Sequence, residues 1–112
     1  MSRAEAHFEL GNEAAARADL EPIVARSRPT EVPLTASGTA LRSLIRAERR
    51  RELALEGHHF HDLKRWELGV EREDCTSFSV NCRLPQTDFR YALPIPVEAM
   101  FRNPNLMQNE GY

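Results

Sequence analysis

Apolar residues near the start of the chain recur at spacings of three and four, which is the period of an amphipathic α-helix. Four of them form a stripe within residues 12–28: Ala16, Leu20, Ile23 and Val24. Residues 4–10 are similarly rich in alanine and glutamate, and Gly11 suits the position just after a helix end. The pattern predicts two antiparallel helices, a hairpin that spans residues 1–28. Pro22 removes a backbone donor inside the second helix, which predicts a kink or a restart there.

A second amphipathic stretch follows a linker at residues 29–38, where two prolines, a glycine and three hydroxyl residues favour turns. The stretch predicts a helix that begins near Thr39 or Ala40 and ends at Gly57. Six residues share one face of this helix: Leu41, Leu44, Ile45, Glu48, Glu52 and Leu55. Two carboxylates therefore continue an apolar stripe.

These two carboxylates need partners, because an isolated charge is costly to bury. We expect Glu48 and Glu52 to face solvent or to pair with guanidinium groups. Three arginines are candidates for this pairing: Arg49, Arg51 and Arg65. Successive turns of one helix do not hold two carboxylates on opposite sides of a scissile bond, so the sequence favours a structural role and predicts no catalytic residue.

A short helix with an aromatic face is predicted after Gly57, because three large residues recur at intervals of three: Phe60, Leu63 and Trp66. It completes a helix pair over residues 39–67. Trp66 and Tyr91 could also stack on a sugar ring. Trp66, however, shares a face with Phe60 and Leu63, and aromatic residues at this spacing are more often part of a core.

Residues 68–112 are predicted to form a loop and a tail that wraps over the helices. Two residues are candidates for a brief extended stretch: Phe78 and Val80. Pro94 and Pro96 make residues 89–96 unsuited to a central strand, whereas Pro96 can open a helical turn at residues 97–100. The predicted fold is all-α, with a helical hairpin, a further helix pair and an irregular, proline-rich C-terminal segment.

Charge and composition indicate which partners to expect. The net charge is −2, from 15 basic and 17 acidic residues, so the overall field does not attract nucleic acid strongly. Three glutamates at helical spacing stand before and after the basic run at residues 49–51: Glu48, Glu52 and Glu56. Ion pairs within the helix explain this pattern more simply than phosphate contacts do, and we predict no nucleic-acid partner.

Two clusters have the residue types of reactive sites. Neutral imidazoles and a carboxylate suit zinc, and His58, His59, His61 and Asp62 lie close in sequence. In a helix His59 would point away from His58 and His61, so surface histidines are the simpler interpretation, and we predict no metal site. Cys75 and Cys82 have a spacing that a loop-closing disulfide can span, and a pair of free thiols fits equally well.

Several segments resemble, in order and approximate spacing, the end of SusD/RagB-like nutrient-binding lipoproteins. They are LIRAERRRELALEGH at residues 44–58, DLKRW at 62–66, LPIP at 93–96, NPNL at 103–106, QN at 108–109 and GY at 111–112. The hairpin before them is similar to the last tetratricopeptide-like pair of that family, so the resemblance covers residues 1–112. His59, His61 and Glu110 depart from the residues that the family usually has at these positions.

The resemblance implies a mostly helical, non-catalytic protein that requires no cofactor and is anchored by lipid on the outer face of the outer membrane. There it would capture oligosaccharides or other nutrients and work as a lid over a SusC-like TonB-dependent transporter. The family's ligand contacts lie mainly in other regions, so no substrate-binding residue is assigned. The first residues show no export signal, as expected of a piece of a longer protein. The alternative interpretation is a free-standing cytoplasmic helical module for protein interactions.

Overall fold

The structure, a computed structural model, describes residues 1–72, 75 and 82–112. The chain divides into two compact units, Met1–Gly57 and His58–Tyr112. Five α-helices and one short two-stranded sheet make up the regular structure of the described residues, apart from two turns of 3-10 helix. The predicted all-α class is therefore confirmed. None of the helices within the described ranges is long and apolar enough to cross a membrane.

A helical hairpin opens the first unit, as predicted. Helix α1 covers Ser2–Glu9 and helix α2 covers Glu13–Ser27. Gly11 joins them with a φ of 78°, a conformation that glycine adopts without a steric penalty. Asn12 then caps α2, since its Oδ1 accepts a hydrogen bond of 3.1 Å from the backbone N–H of Ala15.

The two helices of the hairpin are also joined by an ion pair. Arg3 donates two hydrogen bonds of 2.6 Å to the carboxylate of Asp19. These bonds lower the pKa of Asp19 below its ordinary value, because they stabilise the ionised form. Helix α2 continues through Pro22 to Ser27, so it does not restart at the proline.

The core of the first unit lies between α2, the linker and helix α3, which covers Gly38–Glu52. Six buried residues form it: Ala16, Leu20, Val24, Leu34, Leu41 and Ile45. The stripes on α2 and α3 were predicted, whereas Leu34 was not. Within the predicted linker a turn of 3-10 helix covers Pro29–Glu31, and the backbone N–H of Leu34 donates to Glu21 of α2 at 2.9 Å.

Helix α3 ends five residues before the predicted end. Residues 53–57 form turns, in which Ala54 N–H donates to Arg51 O at 3.4 Å and Glu56 N–H donates to Leu53 O at 3.2 Å. Leu55 has a φ of 68° and is fully exposed. Its predicted place on the apolar face is therefore wrong, because three-residue turns replace the α-helical repeat and point its side chain outwards.

The second unit begins with helix α4, His58–Arg65. Strand β1, Val70–Glu71, pairs antiparallel with strand β2, Arg83–Leu84, and Val70 lies opposite Leu84. The predicted loop thus contains a ladder that is too short to show periodicity in the sequence. Phe78 and Val80, the predicted extended stretch, lie outside the described residues.

The end of the chain packs within the second unit. A turn of 3-10 helix covers Phe89–Tyr91, and helix α5 covers Val97–Arg102 after Pro96, where a helical turn was predicted. The side chain of Gln108 makes two hydrogen bonds to the backbone of Ile95. It accepts from the N–H of Ile95 at 2.8 Å and donates to its carbonyl at 3.0 Å. Asn109 donates to the carbonyl of Leu93 at 2.7 Å. Pro94 and Pro96 have no backbone N–H to donate to a strand partner. The side-chain amides of Gln108 and Asn109 hold this segment by hydrogen bonds to its backbone.

Candidate functional site

An arginine–glutamate cluster is formed by Glu48, Arg28 and Arg51. Glu48, at its centre, continues the buried stripe of Leu41 and Ile45 on α3. The residue is 1% exposed, the lowest exposure of any charged residue among the described positions. One carboxylate oxygen, Oε1, accepts hydrogen bonds from both Arg28 and Arg51. Two guanidinium groups therefore compensate for the loss of water around this charge.

Arg28 makes this cluster a junction between three parts of the first unit. It follows the last residue of α2, and its guanidinium bonds to Glu48 on α3 and to Glu31 in the linker, the latter at 2.8 Å. Of the predicted partners, Arg51 is confirmed. Arg49 donates to the hydroxyl of Ser2 at 3.2 Å, and Arg65 donates to Asp62 at 2.9 Å.

Glu52, the second carboxylate of the stripe, lies nearer to the surface. It accepts a hydrogen bond of 2.5 Å from Arg26, which raises the pKa of that guanidinium. Both carboxylates thus bind guanidinium groups, and Glu48 has almost no surface through which to meet a substrate. The arrangement can hold helices together and is unsuited to acid–base chemistry.

The histidines after Gly57 lie on α4, where His58 and His61 are exposed. Asp62 is buried and accepts a hydrogen bond from Arg65 at 2.9 Å. Over the part of the chain that the structure describes, no group of three or more His, Cys, Asp or Glu side chains could hold a metal ion.

Tyr91 belongs to the core of the second unit and is 4% exposed. Its hydroxyl donates to the carbonyl of Leu68 at 2.8 Å, its own carbonyl accepts from Lys64 at 3.0 Å, and its ring lies 5.3 Å from that of Phe60. The ring of Tyr91 is therefore part of a core and is not open to a sugar. Trp66 is half-buried, with the guanidinium of Arg65 4.8 Å from its ring.

Cys75 and Cys82 form a disulfide, which resolves the two interpretations that the spacing left open. Their Cα atoms are 5.5 Å apart, within the usual range for this bond. Next to it, Arg72 N–H donates to Cys82 O at 3.0 Å, one residue beyond the β1–β2 ladder. The disulfide thus lies close to the end of the β1–β2 ladder.

An open groove of about 560 Å³ lies between the 3-10 turn Phe89–Tyr91 and the last residues of the chain. Six residues line it: Thr87, Phe89, Ala92, Asn109, Glu110 and Gly111. The sequence did not reveal this groove, because its two sides are some twenty residues apart. At its edge Asp88 has a pKa of about 2, since Arg90 donates to it from both its guanidinium and its backbone N–H.

The whole chain is similar to a known protein family. The model of the SusD family matches residues 1–112. A curated relative, SusD-like protein P2 of Formosa agariphila, is 42% identical over 77 residues, which is 64% of this chain and 14% of the relative. The chain therefore spans a small part of that protein's length. No solved structure matches. Since the family model covers every residue, the chain belongs to the SusD family.

Proposed function

We propose that the chain forms the carboxy-terminal region of a non-catalytic outer-membrane lipoprotein that binds oligosaccharides or other nutrients. The observation that carries the proposal is the match of the SusD family model to residues 1–112. Members of this family bind nutrients and do not catalyse reactions. In this proposal the protein sits on the outer face of the outer membrane and works with a SusC-like TonB-dependent transporter.

The disulfide supports a location outside the cytoplasm. Disulfides such as Cys75–Cys82 persist in the periplasm and at the cell surface, whereas cytoplasmic thiols are kept reduced. The alternative interpretation, a cytoplasmic interaction module, does not account for this bond. The disulfide and the family match therefore favour the exported receptor.

Within the receptor, the arginine–glutamate cluster acts as a structural brace. Arg28 and Arg51 bind Glu48 below the surface, which ties the end of α2 to α3. A buried carboxylate with two guanidinium partners is suited to fixing the relative position of two helices and has no free face for a nutrient. Nutrient binding is thus assigned to other parts of the protein.

The proposal is tested by locating the protein and its partner in the native host. The gene is tagged at its chromosomal position, membranes are fractionated, and the tagged protein is purified in mild detergent for mass spectrometry. We expect it in the outer-membrane fraction together with a TonB-dependent transporter. Recovery in the cytosolic fraction, without any such transporter, would contradict the proposal.

A further inference from the structure

Helix α5 presents an apolar row to solvent. Val97 and Phe101 are four residues apart, so they lie on the same side of the helix, and they are 63% and 85% exposed. The other side of α5 faces the rest of the second unit, since Ala99 and Met100 are half-buried and Gln108 Nε2 donates to Met100 Sδ at 3.4 Å. The outer side of α5 therefore exposes a large aromatic and a β-branched side chain together.

The tail around α5 adds to this apolar surface. Leu93, shortly before the helix, is 75% exposed, and Met107, shortly after it, is 87% exposed. Gln108, the residue after Met107, is bonded to the backbone of Ile95 at 2.8 Å, which keeps this part of the tail beside the start of α5. Single exposed apolar residues are ordinary, whereas a group of them indicates an interaction surface.

A row of charges runs beside the apolar row on α5. Glu98 lies in the first turn and Arg102 in the last turn, again four residues apart, and both are exposed. Within the part of the chain that the structure describes, neither side chain takes part in an ion pair or a hydrogen bond. Both charges are therefore available to a partner.

This surface is complementary to itself when two copies of α5 lie antiparallel. Val97 of each copy then meets Phe101 of the other, and Glu98 of each copy meets Arg102 of the other. A contact of this kind has two-fold symmetry, which is the commonest symmetry of soluble homo-oligomers. A lipid surface fits less well, because one acidic and one basic residue on this face give no net attraction to anionic headgroups.

We propose that α5 is the centre of a weak, two-fold symmetric interface between two copies of this chain. A helix of six residues and its neighbours offer less than the about 800 Å² per partner that stable complexes bury, so we expect a Kd of about 100 µM. The inference does not rest on the proposed function, since it uses only the exposed residues of α5 and the tail.

The first test is analytical ultracentrifugation of the whole, oxidised chain over concentrations on both sides of this Kd. We expect a reversible equilibrium between monomer and dimer. Phe101→Ala should raise the Kd by about tenfold, because it removes the largest apolar contact. Leu10→Ala is the control, since Leu10 is a comparably exposed apolar residue (82%) of the first unit, and it should leave the Kd unchanged.

The second test uses charge reversal to probe the orientation of the two helices. In the Glu98→Arg variant both positions of the charge row are basic, and in the Arg102→Glu variant both are acidic. Each variant alone should dimerise at least about fivefold more weakly at low ionic strength, because like charges meet across the interface. An equimolar mixture of the two variants should dimerise as the unmodified chain does, since every cation again meets an anion.

Arg50→Glu is the control for charge, because Arg50 is an exposed arginine of α3, and it should dimerise as the unmodified chain does. Circular dichroism checks that every variant keeps its helical content, as expected for exposed positions. A chain that stays monomeric over the whole range would overturn the inference and indicate that another protein segment covers α5. Dimerisation that neither Phe101→Ala nor either charge variant weakens, or a mixture that shows no gain over its components, would also overturn it.

Discussion

Glu48 is the most buried charged residue of the first unit. Its burial would be unfavourable without Arg28 and Arg51, since a desolvated carboxylate loses its hydration. The two partners differ, because the Arg28 side chain is 28% exposed and that of Arg51 is 55% exposed. The interaction with the less exposed arginine is less screened by water and should contribute more.

We expect Arg28→Ala to lower the free energy of unfolding by about 2 kcal/mol, and Arg51→Ala by about 1 kcal/mol. The reason is that each variant leaves the buried carboxylate with a single guanidinium partner. Urea denaturation followed by circular dichroism measures both values. Arg50→Ala is the control at an exposed position, with an expected change within about 0.5 kcal/mol.

The same interpretation predicts that substitutions at Glu48 and Arg28 do not have additive effects on the free energy of unfolding. Glu48→Met replaces the carboxylate by an apolar side chain of similar size, and such replacements of buried ions are often neutral. In this background Arg28→Ala should cost less than about 0.5 kcal/mol, since no buried charge is left without a partner. An unchanged cost of about 2 kcal/mol would show that Arg28 acts through something other than Glu48.

Asp88 makes part of the stability of the second unit depend on pH. Its pKa is about 2 in the folded chain against an ordinary 3.8, so the folded state favours the ionised form. The contribution is fully present above about pH 4 and is lost as the pH falls towards 2. We therefore expect Asp88→Asn to lower the urea midpoint at pH 6 and to have little effect at pH 2.

Asparagine is a suitable replacement for this test because its side-chain oxygen can still accept from the N–H of Arg90, as Asp88 does at 3.0 Å. The variant thus removes the charge and keeps the acceptor. If the difference between Asp88→Asn and the unmodified chain were the same at both pH values, ionisation of Asp88 would not contribute to stability.

At the scale of elements, periodicity predicted the helices of the first unit, and a side-chain cap by Asn12 marks the start of α2. The stripe of Ala16, Leu20 and Val24 predicted α2 correctly because it repeats over several turns. Leu55 fits the same period but lies in a turn, since the spacing of residues does not reveal where i→i+3 hydrogen bonds replace the helix. Strands β1 and β2 have two residues each, too few for any period.

The candidate sites were predictable only where their members are close in sequence. Arg51 lies one turn from Glu48 and was predicted as its partner, whereas Arg28 lies 20 residues away and was not. The groove joins Phe89 to Gly111 through the fold of the tail. Contacts between distant segments require tertiary structure, which a single sequence does not give.

The cap of α2 allows a test of a single helix boundary. Asn12→Ala removes the acceptor for the N–H of Ala15, and we expect the free energy of unfolding to fall by about 1 kcal/mol. Asn12→Asp keeps an acceptor at the same position and should stay within a few tenths of the unmodified chain. Equal losses in both variants, measured by urea denaturation, would mean that the side-chain cap is not the stabilising feature.

Across the whole chain, stabilising interactions are distributed differently in the two units. The first unit has a cluster of six buried apolar residues and the paired Glu48. Among the described residues of the second unit, Tyr91 is the only hydrophobic residue that is buried. The second unit instead contains the Cys75–Cys82 disulfide and hydrogen bonds from Gln108 and Asn109. Covalent closure is a common substitute for a small core.

This contrast predicts where reduction of the disulfide acts. Closing a loop with a sequence separation of 7 contributes about 2.5 kcal/mol in the chain-entropy treatment, so the variant with Cys75→Ser and Cys82→Ser should lose about that much in the second unit. Hydrogen exchange followed by mass spectrometry should show faster exchange in residues 58–112, whereas α2 and α3 should exchange as before because their core belongs to the first unit. Faster exchange throughout both units would instead show that they unfold together, and the stability of the first core would then depend on the second unit.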